Sequence, residues 1–415
     1  MAVQSRRKFL TQAGALAAGA IGPPAPEPSP NVAGRTLREA VTLCGEWWFR
    51  TDPEVAGEHQ RWYETHESTS FWRRVEVPHT WQVDSAFVDY RGVAWYLRTF
   101  DAPSNWQDST VRLEFEAVFH TAKIWVNGQL AGEHVRKGYT AFVLDVTHLL
   151  RPGSSNTIAV RVDNAFDEHM VPRGRSSDWA HDGGIYRPVQ MLITPRTFVE
   201  RVDAEAVPDL ASRDAKIVIT AYLRNTDSKD WNGRVFFQII DDESGATVMT
   251  NSDTPGLTIK SGATQTSKFG ATLPNAKLWH FDHPNLYRLI FSIAGVQETH
   301  QFALTFGVRK FEAKGSGLYL NGERVRLMGV ERMAGSNPEF GMAELSQWIT
   351  HDHDDLKHLN CVFTRVHWPQ DKRVLDYCDR HGILMQSEIP AWGYDTFGSM
   401  GAEPNADVLQ NALEQ

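Results

Sequence analysis

The sequence predicts a multidomain chain in which two β-sandwiches precede a parallel α/β unit. Three observations carry this. A length of 415 residues corresponds to about three domains at roughly 150 residues each. Short strands separated by turn signals run as far as Phe306. After Phe311 the pattern changes to strand, helix, strand.

In the first unit, strands are expected over Ala94–Phe100, Val111–Val118, Lys123–Val126, Thr157–Val162 and Arg187–Ile193. Val111-Arg112-Leu113-Glu114-Phe115-Glu116 alternates so that one face is apolar and the other charged, as a half-buried strand requires. Asn127-Gly128 directly after Ile124-Trp125-Val126 signals a hairpin, because both residues tolerate positive φ. The second unit has its clearest strands at Ala215–Leu223, Arg234–Ile240 and Leu286–Ile293, and its length suits an immunoglobulin-like sandwich.

The third unit reads as a turn at Tyr319–Gly322 and a strand over Arg324–Val330, then a helix over Met342–Leu359 and a strand over Cys361–Val366. A helix over Lys372–His381 closed by Gly382, a strand over Ile383–Ser387 and a last helix over Ala406–Glu414 complete it. A closed (β/α)8 barrel takes about 250 residues. The unit is therefore expected to be an unfinished barrel, with exposed strand edges and a frayed or poorly soluble C-terminal third.

The composition excludes several classes. With 41% hydrophobic and 22% charged residues the chain can bury cores. A net charge of -9 without basic blocks argues against nucleic acid. Cys44, Cys361 and Cys378 are too few and too scattered for a disulfide framework or a zinc site, and are expected as free, buried thiols. Fourteen Trp, ten Tyr and twenty-one Phe suit either sandwich cores or ring-stacking ligands such as sugars, and composition does not choose between them.

Residues 1–30 read as an export segment rather than fold. Ser5-Arg6-Arg7-Lys8-Phe9-Leu10 leads into a weakly apolar Ala/Gly run and a Pro-rich linker, which resembles a twin-arginine signal. The run is too short and too weakly apolar to span a membrane. This implies a periplasmic or extracellular protein, with no membrane association after signal removal.

Ordered motifs carry a family likeness. In the first unit they are Val77-Pro78-His79-Thr80-Trp81, Gly92 through Phe100, Ile124-Trp125-Val126-Asn127-Gly128, Gly138-Tyr139-Thr140-Ala141-Phe142, Asp178-Trp179 and Gly183-Gly184-Ile185-Tyr186-Arg187-Pro188-Val189. Leu278-Trp279, Pro284-Asn285-Leu286-Tyr287 and Phe306-Gly307-Val308-Arg309 follow in the second. The third has Leu320 through Val330, Arg365-Val366-His367-Trp368-Pro369 and Cys378 through Leu384 with Ser387-Glu388. Together they resemble glycoside hydrolase family 2, the β-galactosidase and β-glucuronidase type.

The resemblance implies a jelly-roll, galactose-binding-like domain over 31–197 after the 1–30 segment, an immunoglobulin-like β-sandwich over 198–309, and the N-terminal part of a TIM barrel, about three strands, over 310–415. It implies retaining hydrolysis of O-glycosyl bonds in β-linked sugars, which needs an acid/base carboxyl and a nucleophilic carboxylate about 5 Å apart. In the family both come from the fourth and seventh barrel strands, so no catalytic residue is assigned in this chain. A non-catalytic carbohydrate-binding or structural protein is the alternative.

Substrate-binding roles are expected for His367, Arg365, Glu388 and Trp392. His367 lies at the end of the second strand, on the face where barrels bind substrate, and an imidazole can position a sugar hydroxyl. In the family the counterpart of Arg365 braces active-site carboxylates; a structural ion pair is the plainer reading. Glu388 resembles a pocket-wall carboxylate that in some members holds a metal ion, but position 387 is Ser rather than Asp and Met333 stands where many members carry His. No metal or other cofactor is therefore assigned, a divalent cation being the exception to watch. Trp392, with Gly393 and Tyr394, offers either a stacking platform or a core ring. His351-Asp352-His353-Asp354-Asp355 looks metal-like but reads as a solvated helix face, since alternate helical positions diverge. A pairing of Glu331 with Glu388 as acid and nucleophile is disfavoured, because strands one and three are not neighbours. The expected partner is a β-linked carbohydrate; a homo-oligomer is left open.

Overall fold

The computed structural model describes residues 35–36, 39–64, 70–172, 180–251, 254, 256–296, 298–392, 396 and 406–415. The 1–30 export segment and the Asp178-Trp179 motif lie outside these residues, as do Gly393 and Tyr394.

The first sandwich packs a six-stranded sheet on a four-stranded one. Its longest pairing joins Val93–Ala102 to Ser154–Asp163 in antiparallel register. Between the layers lie Trp47, Phe49, Trp81, Tyr96, Leu113 and Phe115, each at most 1% exposed. At about 1.5–3 kcal/mol for each fully buried large side chain, such residues dominate the stability of this layer. The outer side of the same sheet buries a second aromatic group around Trp95 and Trp125. Trp81, Trp95 and Trp125 are thus core rings rather than ligand platforms. The expected hairpin is present: Asn127 (φ 50) and Gly128 (φ 79) join Thr121–Val126 to Gln129–His134.

The charged face of Thr110–Phe115 differs from expectation. Val111, Leu113 and Phe115 face the core, but Arg112 is also buried, its guanidinium 4.1 Å over the Phe198 ring. Glu114 accepts from Gln190 and pairs with Lys372 of the third unit at 3.3 Å. Local alternation registers two faces but cannot tell that neighbouring domains cover the second.

The second sandwich sets a six-stranded sheet against a three-stranded one. Ala215–Asn225 alternates buried and exposed positions with Ile217, Ile219, Ala221 and Leu223 inward. The segment Arg35–Thr36 pairs in parallel with Glu298 and Thr299, so the start of the described chain joins this sheet.

The third unit opens with an antiparallel meander of Phe311–Lys314, Gly317–Leu320 and Glu323–Val325. The single strand expected over Arg324–Val330 is therefore two: Glu323–Val325 closes the meander, and Gly329–Glu331 starts a separate parallel sheet. Gly329 permits the close approach, since a Cβ there would stand 2.0 Å from the Phe363 carbonyl oxygen. The helix begins at Ser346 rather than Met342: Leu345 is extended (ψ 148), and Met342, before it, donates its N–H to Asp182 of the first sandwich. It packs on the Lys372–His381 helix through Ile349, Leu356, Val374, Tyr377 and Cys378. Cys361 and Cys378 are free and buried, as composition suggested, and Cys44 is half-buried. Among the described residues the parallel sheet runs Gly329–Glu331, Phe363–Val366, Leu384–Ser387.

Motif residues fasten the units together. The Arg187 guanidinium, 6% exposed, donates to the carbonyls of Tyr139 (3.0 Å) and Pro369 (2.8 Å), joining the first sandwich to the exit of the second barrel strand. The Trp279 indole donates to the Asp379 carbonyl at 2.7 Å, joining the second sandwich to a barrel helix. Replacing Trp279 by Phe keeps a large ring and deletes that donor. It should cost about 1–2 kcal/mol in urea unfolding; an unchanged midpoint would mean the bond is not contributing.

Candidate functional site

Strand register builds the site. Glu331 stands beside Arg365, and Arg365 beside Gln386, across the parallel sheet. Side chains two apart share a face, so His367 follows Arg365 and Glu388 follows Gln386 on the same side at the strands' C-terminal ends. In barrels this end carries the chemistry.

The contacts agree with the register. Arg365 grips Glu388 with two bonds, Nε to Oε1 at 2.6 Å and Nη2 to Oε2 at 3.0 Å, while Nη1 reaches Glu331 Oε2 at 3.0 Å. His367 Nε2 lies 2.8 Å from Glu331 Oε1, and Gln386 donates to Glu388 at 3.0 Å. The guanidinium holds the Glu388 carboxyl below its ordinary value. A carboxylate in that state accepts hydrogen bonds from hydroxyls and is a poor proton donor at neutral pH.

Glu331 and Glu388 are brought to one cluster although their strands are not neighbours, and the bridge is Arg365. Arg365 pairs with both carboxylates and so fixes the two side chains relative to each other. Because these side chains are more than a quarter exposed, the pairs orient more than they stabilise.

An aromatic wall adjoins the cluster. Trp392 is half-buried, 5.6 Å from the His367 ring, 5.7 Å from Trp368 and 6.2 Å from Tyr139. Trp368 is 1% exposed and stacks on Tyr139 at 4.9 Å. His367 Nδ1, Trp368 Nε1 and the Tyr139 hydroxyl are buried with no hydrogen-bond partner among the described residues. Tyr139 was not singled out as a site residue from sequence; its only signal was membership of Gly138–Phe142.

The acidic run on the first helix is not a solvated face throughout. His353 is buried, with Nδ1 2.7 Å from the Ile349 carbonyl, Asp352 accepts from Arg332 at 2.7 Å and Asp354 accepts from Tyr377. Only His351 and Asp355 of the run are exposed. No group of three or more His, Cys, Asp or Glu able to hold a metal ion occurs among the described residues.

Comparison with known families decides the assignment. Residues 41–195 match the glycosyl hydrolases family 2 sugar binding domain, 197–309 the family 2 domain that follows it, and 311–414 the family 2 TIM barrel domain. The chain belongs to glycosyl hydrolases family 2. Among the described residues its barrel domain has a three-stranded parallel sheet that is not closed into a barrel. Among family 2 relatives, a β-galactosidase of Thermoanaerobacter pseudethanolicus is 33% identical over 310 residues, covering 73% of this chain and 40% of that protein. A β-glucuronidase of Bacteroides fragilis is 26% identical over 392 residues, covering 91% of this chain and 53% of that protein. A solved Bacteroides uniformis β-glucuronidase 2, covalently bound to cyclophellitol-6-carboxylate aziridine, superposes with a TM-score of 0.79 at 26% identity, covering 91% of this chain and 45% of that one. The chain thus spans about half the length of the family 2 proteins it matches.

Proposed function

We propose that these residues are the N-terminal portion of an exported, retaining glycosidase that hydrolyses β-galactosides or β-glucuronides. Arg365 positions Glu331 and Glu388; His367, Glu388 and Trp392 contact the sugar. The observation carrying this reading is the Arg365 bridge, which holds two carboxylates and, through Glu331, an imidazole on one strand-end face. The same bridge argues against Glu388 as the general acid. A general acid needs a raised pKa, whereas Glu388 is held low. In the family the acid and the nucleophile come from the fourth and seventh barrel strands, and this reading assigns both roles there. The B. uniformis enzyme's covalent adduct supports retention. Export rests on Arg6-Arg7 and the Ala/Gly run.

The test is hydrolysis of chromogenic β-galactoside, β-glucuronide, β-mannoside and β-glucoside by the 415-residue chain and by a polypeptide continued through a full barrel, each with and without Glu388→Gln. The continued form should turn over one of the first two substrates, and its E388Q variant should lose at least ~10-fold in kcat/KM. The 415-residue chain should be silent. Turnover by the short chain that disappears in E388Q would overturn the assignment of roles. Silence of both forms would favour the non-catalytic, carbohydrate-binding alternative.

A further inference from the structure

The parallel sheet places its own strands but not the residues that leave them. Phe363–Val366 pairs with Leu384–Ser387, and the last pair in register is Val366 with Ser387. His367, Trp368 and Pro369 lie beyond that ladder. His367 nevertheless stands 2.8 Å from Glu331 and 5.6 Å from the Trp392 ring. Glu331 is 38% exposed, so this pair alone is a weak constraint on the imidazole. The segment 367–369 needs a hold from elsewhere.

Two contacts from the first sandwich supply it. The Trp368 ring stacks on Tyr139 with the planes 20° apart, and both residues are 1% exposed. Arg187 then clamps the backbone around this stack: one carbonyl it bridges belongs to Tyr139, the other to Pro369, the residue after Trp368. The sandwich side is itself braced. The Tyr186 hydroxyl donates to the Gly138 carbonyl at 2.7 Å, so consecutive residues of one motif grip consecutive carbonyls of another. Gly138 permits the close packing, since a Cβ there would stand 2.3 Å from the Phe119 ring, and Phe119 meets Tyr139 edge-on at 5.3 Å.

Rings carry this placement outward. Tyr139, Trp368, Trp392 and His367 form a continuous series with successive centroids 4.9, 5.7 and 5.6 Å apart. One end is sealed inside the domain junction; the other is the half-buried Trp392 beside the Arg365 cluster. Close-packed groups transmit a displacement rather than absorb it.

The chemistry of the clamp fits placement better than simple fastening. Taking a guanidinium out of water is costly, and two neutral carbonyls repay less than a carboxylate would. What the planar fork adds is a fixed geometry between its two acceptors. Other ties between the units leave 367–369 untouched: Lys372 pairs with Glu114 at 3.3 Å while 59% exposed, and the Trp279 indole meets the Asp379 carbonyl. We infer that Arg187 is a positioning residue: from the first sandwich it fixes where His367 and Trp392 stand on the strand-end face of the barrel. That this face meets a sugar rests on the proposed function; the hold on the segment does not.

The test is NMR of the 415-residue chain carrying fluorotryptophan and ring-labelled histidine, with the Trp392 and His367 signals assigned by their loss in Trp392→Phe and His367→Gln. Both signals are displaced by the neighbouring rings and so read the spacing of the series. Arg187→Met removes the fork at similar volume, and both signals should lose at least half of that displacement. Trp279→Phe and Lys372→Met cut the other ties and should leave both signals in place, whatever they do to the thermal midpoint. If Arg187→Met does not fold, Arg187→Lys carries the same expectation, because an ammonium is a point donor that cannot bridge both carbonyls as the fork does. A lowered midpoint with both signals unmoved would make Arg187 a fastener only and overturn the inference, as would equal movement in W279F or K372M. Absence of turnover in the continued polypeptide would remove the sugar from this face and leave the signal changes standing. Unmoved signals beside a working enzyme would overturn the positioning role alone.

Discussion

Replacing Arg332 by alanine is expected to destabilise the third unit by about 3–5 kcal/mol, because the change strands a carboxylate in the interior. Arg332 is 5% exposed and grips Glu344, itself 6% exposed, through Nη1 to Oε2 at 2.9 Å and Nη2 to Oε1 at 2.8 Å, while Nε reaches Asp352 at 2.7 Å. Burial pushes the Glu344 carboxyl above its ordinary value even with the guanidinium against it. Without the guanidinium, the carboxylate must take up a proton or draw in water. Glu344→Ala leaves the guanidinium with Asp352 as its remaining carboxylate partner and should cost less. The pair Arg332→Met with Glu344→Leu removes both charges at similar volume and should recover most of the loss. Urea unfolding of the three variants reads this directly. A single-variant cost under about 1 kcal/mol would mean that the loop opens freely to solvent and that the network is not buried in solution.

That network matters beyond stability because of where it sits. Arg332 directly follows the first barrel strand, Glu344 ends the loop whose Met342 donates to Asp182, and Asp352 is on the next helix. One guanidinium thus ties strand, loop and helix. A loosened loop would move Gly341 and Met342 away from Asp182 of the first sandwich.

The fold was legible where one local rule governs one element. Asn127-Gly128, the alternation in Ala215–Asn225, and the Gly382 stop after Lys372–His381 all follow from backbone preference or from a period of two. Legibility failed where distant residues decide. Nothing local marks the break at 326–328, which exists because Val325 pairs with Leu318 while Gly329 pairs with Phe363. Nothing local marks that Met342 stays outside the helix, where its N–H meets Asp182, 160 positions earlier. The buried outer face of the Arg112 strand needs the other two units to be seen.

The site divides in the same way. Arg365, His367 and Glu388 follow from strand-end position and spacing, so sequence could nominate them. That Glu331 completes their cluster required knowing that the two outer strands flank the second in register. Motifs recognised by likeness acquired a physical reason only in three dimensions. Gly183 and Gly184 are needed because a Cβ on the first would stand 2.2 Å from the Trp81 ring and on the second 2.2 Å from the His79 carbonyl oxygen. Arg187, in the same motif, is the bolt between sandwich and barrel.

Acidification should weaken the first sandwich before carboxylate titration begins, and three histidines are the cause. His79 is enclosed by Phe49 and Tyr96, with Nδ1 2.8 Å from the Tyr96 hydroxyl, and burial, aided by Arg73, lowers its pKa to about 3. His134 stacks on Phe142 at 4.2 Å, and burial together with Lys137 lowers it to about 4. His120 is 3% exposed; burial lowers it too, and its Nε2 lies 2.7 Å from the Ala165 carbonyl, which fixes the proton on that nitrogen. In each case the folded protein holds a neutral ring. Above pH ~6.5 neither state is protonated and the fold is at full strength. Below it the unfolded chain takes up protons that the native state refuses, so stability falls by up to ~1.4 kcal/mol per pH unit for each histidine. The fall continues until the folded pKa values are reached. Discounting for partial exposure, His79 and His134 together should cost about 3–5 kcal/mol between pH 7.5 and 4.5. Depressed carboxylates such as Asp241, at about 2, act in a lower window: burial opposes them, but hydrogen bonds from Ser244 and Lys277 prevail, and their contribution is lost only as pH falls below ~4. Urea midpoints of the first sandwich at pH 7.5, 6.0 and 4.5 separate the two effects. His79→Gln should start less stable at pH 7.5 and fall less steeply toward pH 4.5. A midpoint that is flat or rises between pH 6.0 and 4.5 would mean that these rings accept protons in the folded state and are not sealed as the packing requires.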